Sequence, residues 1–207
     1  MAAEMQPAPS KTVPEASSRD RLIAAAKHQF SAGGYENTTT VAIAREARTS
    51  ESQLVKHFGS KEGLLESIFE AGWSKLRMDM AVLQNIASPR KRLKALMHMV
   101  IQLFTADPQL RDVMLLEGRR IRREGKMIML TRSYTELVSY IDSVIQSAGS
   151  ERAQEFPPQL IRSSLMGMFE ALLRDMVLHE RFGYPAGYSS AQVEKFVSTL
   201  VDRLLSA

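Results

Sequence analysis

Apolar residues recur along almost the whole chain at the three-and-four spacing of amphipathic helices. Leu22, Ile23, Ala26 and Phe30 form a stripe that predicts a first helix over 19–32. Ser18 is placed as its N-cap, and Gly33-Gly34 stop it. Ile43, Ala44 and Ala47 mark a short second helix, and Leu54 with Phe58 a short third. Ser60 caps a fourth, whose stripe runs Leu64, Leu65, Ile68, Phe69, Trp73, Leu76, Met80, Leu83. At about 23 residues it is longer than a three-helix core of this size needs, so its second half must pack on later helices of the chain. The fifth helix covers 89–106, Asp107-Pro108 breaks it, and a short helix fills 108–116. Four arginines (Arg119, Arg120, Arg122 and Arg123) then surround Ile121. A long helix is predicted from near Lys126 to Ser147, a polar connector over 149–156, and a further helix from Pro157-Pro158 to about Phe182. After a Gly-Tyr-Pro loop, Val193, Phe196, Val197, Leu200, Val201 and Leu204 give a last helix over about 190–205. No strand pattern or repeat appears, so the fold is all-α with about nine helices.

The helix over 157–182 carries apolar residues around nearly its full circumference. Such a helix must be covered on both sides. One side faces its own domain; the other predicts a second subunit, with the last two helices pairing as an isologous four-helix interface. Leu165, Phe169, Leu172, Met176, Phe196, Leu200 and Leu204 are its expected contacts.

The two short helices carry the chemistry. Over 38–61 they form a helix-turn-helix, with Ser50 and Gln53 as a capping box that starts the second helix at Glu51. The second helix of such a motif enters the DNA major groove. It offers Glu51, Ser52, Gln53, Val55, Lys56 and His57. Gln can bond adenine through two hydrogen bonds, Val can touch a thymine methyl, and Glu can accept from cytosine. Thr39, Ser50 and Lys61 sit at helix N-termini suited to phosphate contacts. Two copies about a two-fold axis would read a palindromic operator on double-stranded DNA.

Gly34-Tyr35, Thr38-Thr39, Ile43-Ala44, Glu46-Ala47, Ser50, Leu54, His57-Phe58, Ser60-Lys61-Glu62 and Leu64-Leu65 together resemble the DNA-binding segment of the TetR family of bacterial transcriptional repressors. The resemblance covers the N-terminal third of the chain. It implies a helix-turn-helix domain over 18–62, with helix 4 linking from 60 to an effector-binding and dimerisation domain over 63–207; the stretch over 1–17, rich in Ala, Pro, Ser and Gln, reads as a disordered arm. The resemblance also implies a homodimeric repressor that a small molecule releases from DNA. Three positions depart from the family pattern. The turn usually carries Gly then Val, and here carries Arg48 then Thr49; the Tyr that commonly follows Leu54 is Val55. A left-handed turn residue would cost Arg roughly 1 kcal/mol relative to Gly, and Arg48 would in return offer a phosphate contact. The resemblance implies a small-molecule effector in the C-terminal domain; its candidate liners are Trp73, Met97, Ile101, Phe104, Met114, Glu117, Tyr134, Leu137, Tyr140, Met166 and Phe169, whose character points to an apolar or aromatic effector. Many of the 12 methionines fall in this half, and Met tolerates repacking. The arginines after Glu117 are placed to couple sensor to reader.

Composition adds exclusions. The chain of 207 residues has no Cys, so it has neither disulfide nor thiol nucleophile. There is no His-Glu-x-x-His metal spacing and no phosphate-cradling glycine pattern, so no catalytic role, metal or cofactor is expected. No signal peptide and no apolar run of the ~20 residues that span a membrane are present, which indicates a cytoplasmic protein. The net charge of +4 suits a nucleic-acid partner, but weakly. The competing function is a DNA-binding regulator with no small-molecule effector, controlled by a protein partner or constitutive; a largely filled C-terminal cavity would favour it.

Overall fold

A computed structural model describes residues 16–118, 121–148 and 155–205. The arm over 1–15, Arg119 and Arg120, and the connector over 149–154 lie outside the described residues. Nine α-helices form the described chain: α1 (Ser18–Gly33), α2 (Thr40–Glu46), α3 (Glu51–Phe58), α4 (Lys61–Asp79), α5 (Pro89–Ala106), α6 (Pro108–Leu116), α7 (Arg132–Ser147), α8 (Pro158–Phe182) and α9 (Ser190–Leu204). The fold is all-α, as the periodicity requires.

Local signals account for most helix ends. Ser17, Thr39, Ser50, Ser60, Ser88, Asp107, Thr131 and Ser189 each accept a backbone N–H of the first turn through the side chain. The first cap is thus Ser17, not Ser18. At Ser50 only half of the predicted box forms: its hydroxyl accepts Gln53 N–H at 3.3 Å, and it also bonds the Ser52 hydroxyl at 2.8 Å. The reciprocal box stands instead at Ser189 and Gln192.

Two elements differ from expectation. After Asp79 the predicted end of helix 4 tightens into a 3₁₀ stretch, Met80–Asn85. The seventh helix begins at Arg132, not near Lys126; the intervening residues form a two-residue hairpin, β1 (Arg122–Arg123) with β2 (Lys126–Met127). Glu124 and Gly125 turn it with positive φ, which a helix cannot accommodate. The chain is then handed to α7, where the Ser133 N–H and hydroxyl donate to the two oxygens of Glu70 on α4, at 3.1 and 2.6 Å.

The buried apolar side chains form one continuous cluster from Leu22 to Leu205. Phe30, Tyr35, Ile43, Leu54 and Phe58 make the core of the first three helices. Helix α4 packs on α1 and α3 at one end and on α5, α6 and α7 further along; α1 also packs on α6. Two glycines permit the closest approaches. A Cβ on Gly63 would stand 2.0 Å from the Phe58 carbonyl oxygen, and one on Gly118 would stand 2.7 Å from the Phe69 ring. Helix α8 buries Ile161, Leu165, Phe169, Leu173 and Val177 against its own subunit. Its opposite side, with Leu160 and Gly167, is open.

Arg48 adopts φ 49° between α2 and α3, so the turn does require a left-handed residue. Arg48→Gly should therefore stabilise the protein by about 1 kcal/mol, or roughly 2–4 °C in melting temperature, read by thermal unfolding. At the start of α4, the Tyr35 hydroxyl donates to Glu62 at 2.7 Å and holds that carboxyl below its ordinary value, while burial and the carboxylate push the Tyr35 hydroxyl upward. A carboxyl depressed in the folded state adds stability above its unfolded pKa of about 4.3 and loses it as pH falls. Denaturant unfolding of Glu62→Gln should thus show a smaller loss of stability between neutral and acid pH than the parent.

Candidate nucleic-acid interface and internal cavity

Helix α3 is seated by Leu54 and Phe58, both buried, and presents the opposite side to solvent. Lys56 is exposed there, and Val55 is 52% exposed. Gln53 is half-buried, Ser52 exposed, and Thr39 and Ser50 serve as caps. Glu51 is held back by the Thr40 hydroxyl, which donates to its carboxylate. His57 is within 3.0 Å of the Ser18 hydroxyl at the start of α1, and Arg19 lies over the neighbouring Phe58 ring. Glu51 and His57 both remain exposed while making these contacts. Arg45, Arg48 and Lys56 are exposed and make no side-chain hydrogen bond or ion pair with the other described residues. They leave three cations on the outer surface of the motif. Arg45 and the 60%-exposed Val41 were not among the predicted contacts. Burial of Ile43, Ala44 and Ala47 turns both outward, so the helical period did carry that signal.

The Lys61 side chain is engaged within the domain. Its ammonium donates to the carbonyls of Tyr35 at 3.0 Å and Thr38 at 2.9 Å, and lies 4.1 Å from the centroid of the Tyr35 ring. It ties the 35–38 turn to the first turn of α4, where the backbone N–H groups that were expected to meet phosphate begin the helix.

The second feature is a cavity of about 100 Å³ enclosed by α4 to α8. Of the expected liners, Trp73, Met97, Phe104, Met114, Tyr134, Leu137, Met166 and Phe169 surround it. Ile101 is buried elsewhere, and Tyr140 is half-buried away from it. Glu117 also lies elsewhere, in the groove between the end of α1 and α6, with Oε1 against Gly34. Leu93, Leu96 and Val100 were missed although they share the α5 stripe with Met97 and Phe104. Met129 and Glu170 were missed as well. Met129 reaches the cavity only because the chain turns at the hairpin. Glu170, an acidic residue within the apolar run of α8, was a signal in plain sight. The indole of Trp73 and the phenol of Tyr134 meet with centroids 5.3 Å apart, tilted by 50°.

The cavity also corrects the expected subunit contacts. Leu165 and Phe169 point into it and are buried within the subunit, so neither is available to a partner. Leu172, Met176, Leu200 and Leu204 are half-buried, and Phe196 is 52% exposed.

Between the two features stands Arg123 of β1. Its guanidinium bonds Glu66 of α4 at 2.7 Å and lies over Gly59 and Gly63 at the α3–α4 junction. On the other side, Lys27 of α1 pairs with Asp107 at the α5–α6 break. Among the described residues no group of three or more His, Asp or Glu side chains could hold a metal ion, and no helix is long and apolar enough to cross a membrane.

Residues 22–68 match the model of the family described as bacterial regulatory proteins, tetR family. The nucleoid occlusion factor SlmA of Vibrio vulnificus is 22% identical over 166 residues, which cover 77% of this chain and 83% of SlmA. The fatty acid degradation regulator FadR of Bacillus halodurans has the same fold, with a TM-score of 0.78 at 20% identity over 94% of this chain and 98% of FadR. FadR of Bacillus subtilis, solved in complex with stearoyl-CoA, matches at 0.76 with 17% identity over 88% of this chain and 96% of its own.

The two lysines should separate in experiment. Lys56→Met should weaken duplex binding and reduce the slope of log affinity against log salt by about 1. Lys61→Met should instead lower the melting temperature, because two carbonyls lose their donor, while leaving that slope unchanged.

Proposed function

We propose that this chain, a TetR-family transcriptional regulator, is a repressor that binds a palindromic operator as a homodimer and is released from it by a small apolar or aromatic molecule. In this reading residues 18–62 read the DNA, an arm over 1–17 precedes them, and 63–207 carry the effector cavity and the dimer face. The observation that carries the reading is the course of α4. Its first turn is bound to the end of α3, and further along Phe69 and Trp73 line the cavity. A molecule that changes the cavity therefore acts on the helix that seats the reader. The complex of Bacillus subtilis FadR with stearoyl-CoA supports a small-molecule effector for this fold.

Coupling runs through α4 with Arg123 as a strap, since its bond to Glu66 and its place over Gly63 join the hairpin to the α3–α4 junction. Effector binding needs only to favour one of two orientations of α4 to change operator affinity. The dimer reading rests on the apolar residues that α8 and α9 leave uncovered, led by Phe196 with Leu172, Met176, Leu200 and Leu204. Pairing these helices with their copies would cover that surface.

A regulator without a small-molecule effector is the second reading. Two observations favour it: the cavity is well below the ~300 Å³ at which ligand pockets usually begin, and the chain resembles a nucleoid occlusion factor.

Duplexes selected from a random pool should be palindromic and should bind the protein as a dimer, with affinity falling steeply as salt rises. Acyl-CoAs graded in chain length and small aromatic compounds are then added to the complex. Release of the duplex, abolished by Met166→Trp with operator affinity retained, supports the effector reading. Retention of the duplex throughout the series supports the second.

A further inference from the structure

One side chain belongs both to the cavity and to the molecular surface. Met97 of α5 lines the cavity, is half-buried, and also lines a groove of about 320 Å³ on the outside of the domain, between α5 and α9. Two other surface grooves share no residue with the cavity wall. One runs over the outer side of α4 from Arg19 to Arg132, and the other lies at the end of α1 beside Glu117. Methionine suits a boundary of this kind, because an unbranched side chain with three rotatable bonds can swing aside while its helix stays in place.

The seam beside Met97 is held by two polar contacts. Lys94 of α5 pairs with Asp202 of α9, and one turn along α5 His98 Nδ1 stands 2.8 Å from a carboxylate oxygen of Glu194. Met97 lies between these contacts in sequence. Helix α9 packs chiefly on α5 and α8. Both contacts are partly exposed to water, where such pairs contribute little, so the seam can part at small cost. With about 100° between successive residues, Glu194, Ser198 and Asp202 fall on one side of the buried line Val193, Val197, Val201. Phe196 and Leu200 fall on the other. A dimer formed through Phe196 and Leu200 would therefore leave the groove uncovered.

From these observations we infer that the α5–α9 groove is the entrance to the cavity and that Met97 is its gate. A small apolar molecule lodges in the groove, Met97 swings aside, and the molecule passes between the two polar contacts. The inference rests on the reading of the cavity as the effector site. The seam then sets how fast a ligand enters and leaves, and the inner walls set how tightly it is held.

Benzene is a fitting probe. A dry apolar cavity of about 150 Å³ takes it up, and this one measures about 100 Å³ with Met97, Met114 and Met166 free to yield. The chain has no cysteine, so His98→Cys with Glu194→Cys can be joined selectively by a short bismaleimide. Benzene exchange with the full-length protein is followed through the methionine methyl resonances. Linking α5 to α9 should slow association and dissociation alike by about tenfold or more and leave the affinity within about twofold. The same linker between Lys27→Cys and Asp107→Cys, which joins α1 to the α5–α6 break, should leave both rates unchanged. Met97→Ala should raise the association rate by about threefold or more. Equal rates before and after linking across α5 and α9, or equal slowing by the two linkers, overturn the entrance and leave the cavity reading standing. An unchanged association rate in Met97→Ala overturns the gate. Benzene that does not bind the parent protein overturns the entrance and the effector reading together.

Discussion

The first turn of α4 is the constraint on which the arrangement depends. Gly63 lies so close to the Phe58 carbonyl that no side chain fits there. On either side of it, Lys61 holds two carbonyls of the 35–38 turn and Glu62 accepts the Tyr35 hydroxyl. Glu66, one turn on, receives Arg123 from the hairpin. The end of α3, the 35–38 turn and the hairpin are thereby fastened to the first two turns of α4. Under the proposed coupling, a shift of α4 would be passed on to α3 as a change of angle, because packed interiors deform in discrete steps and not continuously.

The other end of the same helix meets a cavity that the protein does not fill. A core of this composition could have closed on itself, since Met and Leu repack with small penalties. Instead α4, α5, α7 and α8 leave about 100 Å³ and a buried indole donor without a partner. Unsatisfied buried donors are uncommon in folded proteins, and each weakens the state that contains it. The turn at Arg48 shows the same pattern on the surface, for a left-handed arginine is retained where glycine would be less strained. Strain thus stands at the turn between α2 and α3, and an unsatisfied indole N–H in a residue that lines the cavity, while the surrounding scaffold is conventionally capped and packed.

Much was legible in advance because it depends on neighbours in sequence. Helical period, serine and threonine caps, the Asp107-Pro108 break and the left-handed demand at Arg48 are local matters, and α2, α3, α5, α6, α8 and α9 stand within a residue or two of where these signals place them. The outward direction of Val55 and Lys56 also follows, once Leu54 and Phe58 are known to be inside. The period even carried Arg45, Leu93 and Val100, which were overlooked.

What the sequence could not determine is how each polar group on those helices is spent. A lysine at a helix start reads alike whether it faces phosphate or a buried carbonyl, and only the fold of the 35–38 turn against α4 made Lys61 internal. Leu165 and Phe169 read as subunit contacts because α8 is apolar around its circumference; the rotation of that helix, set by its packing on α7 and α6, turned them to the cavity. The hairpin at 122–127 escaped notice because two paired residues are too few for a periodic signal, yet it carries Arg123 to the α3–α4 junction. Sequence by itself determined the helices and the outward face of α3, because those obey contacts three and four residues apart. Tertiary structure alone decided the cavity and the fastening of α4, because these join residues dozens of positions apart, whose distances no periodicity encodes.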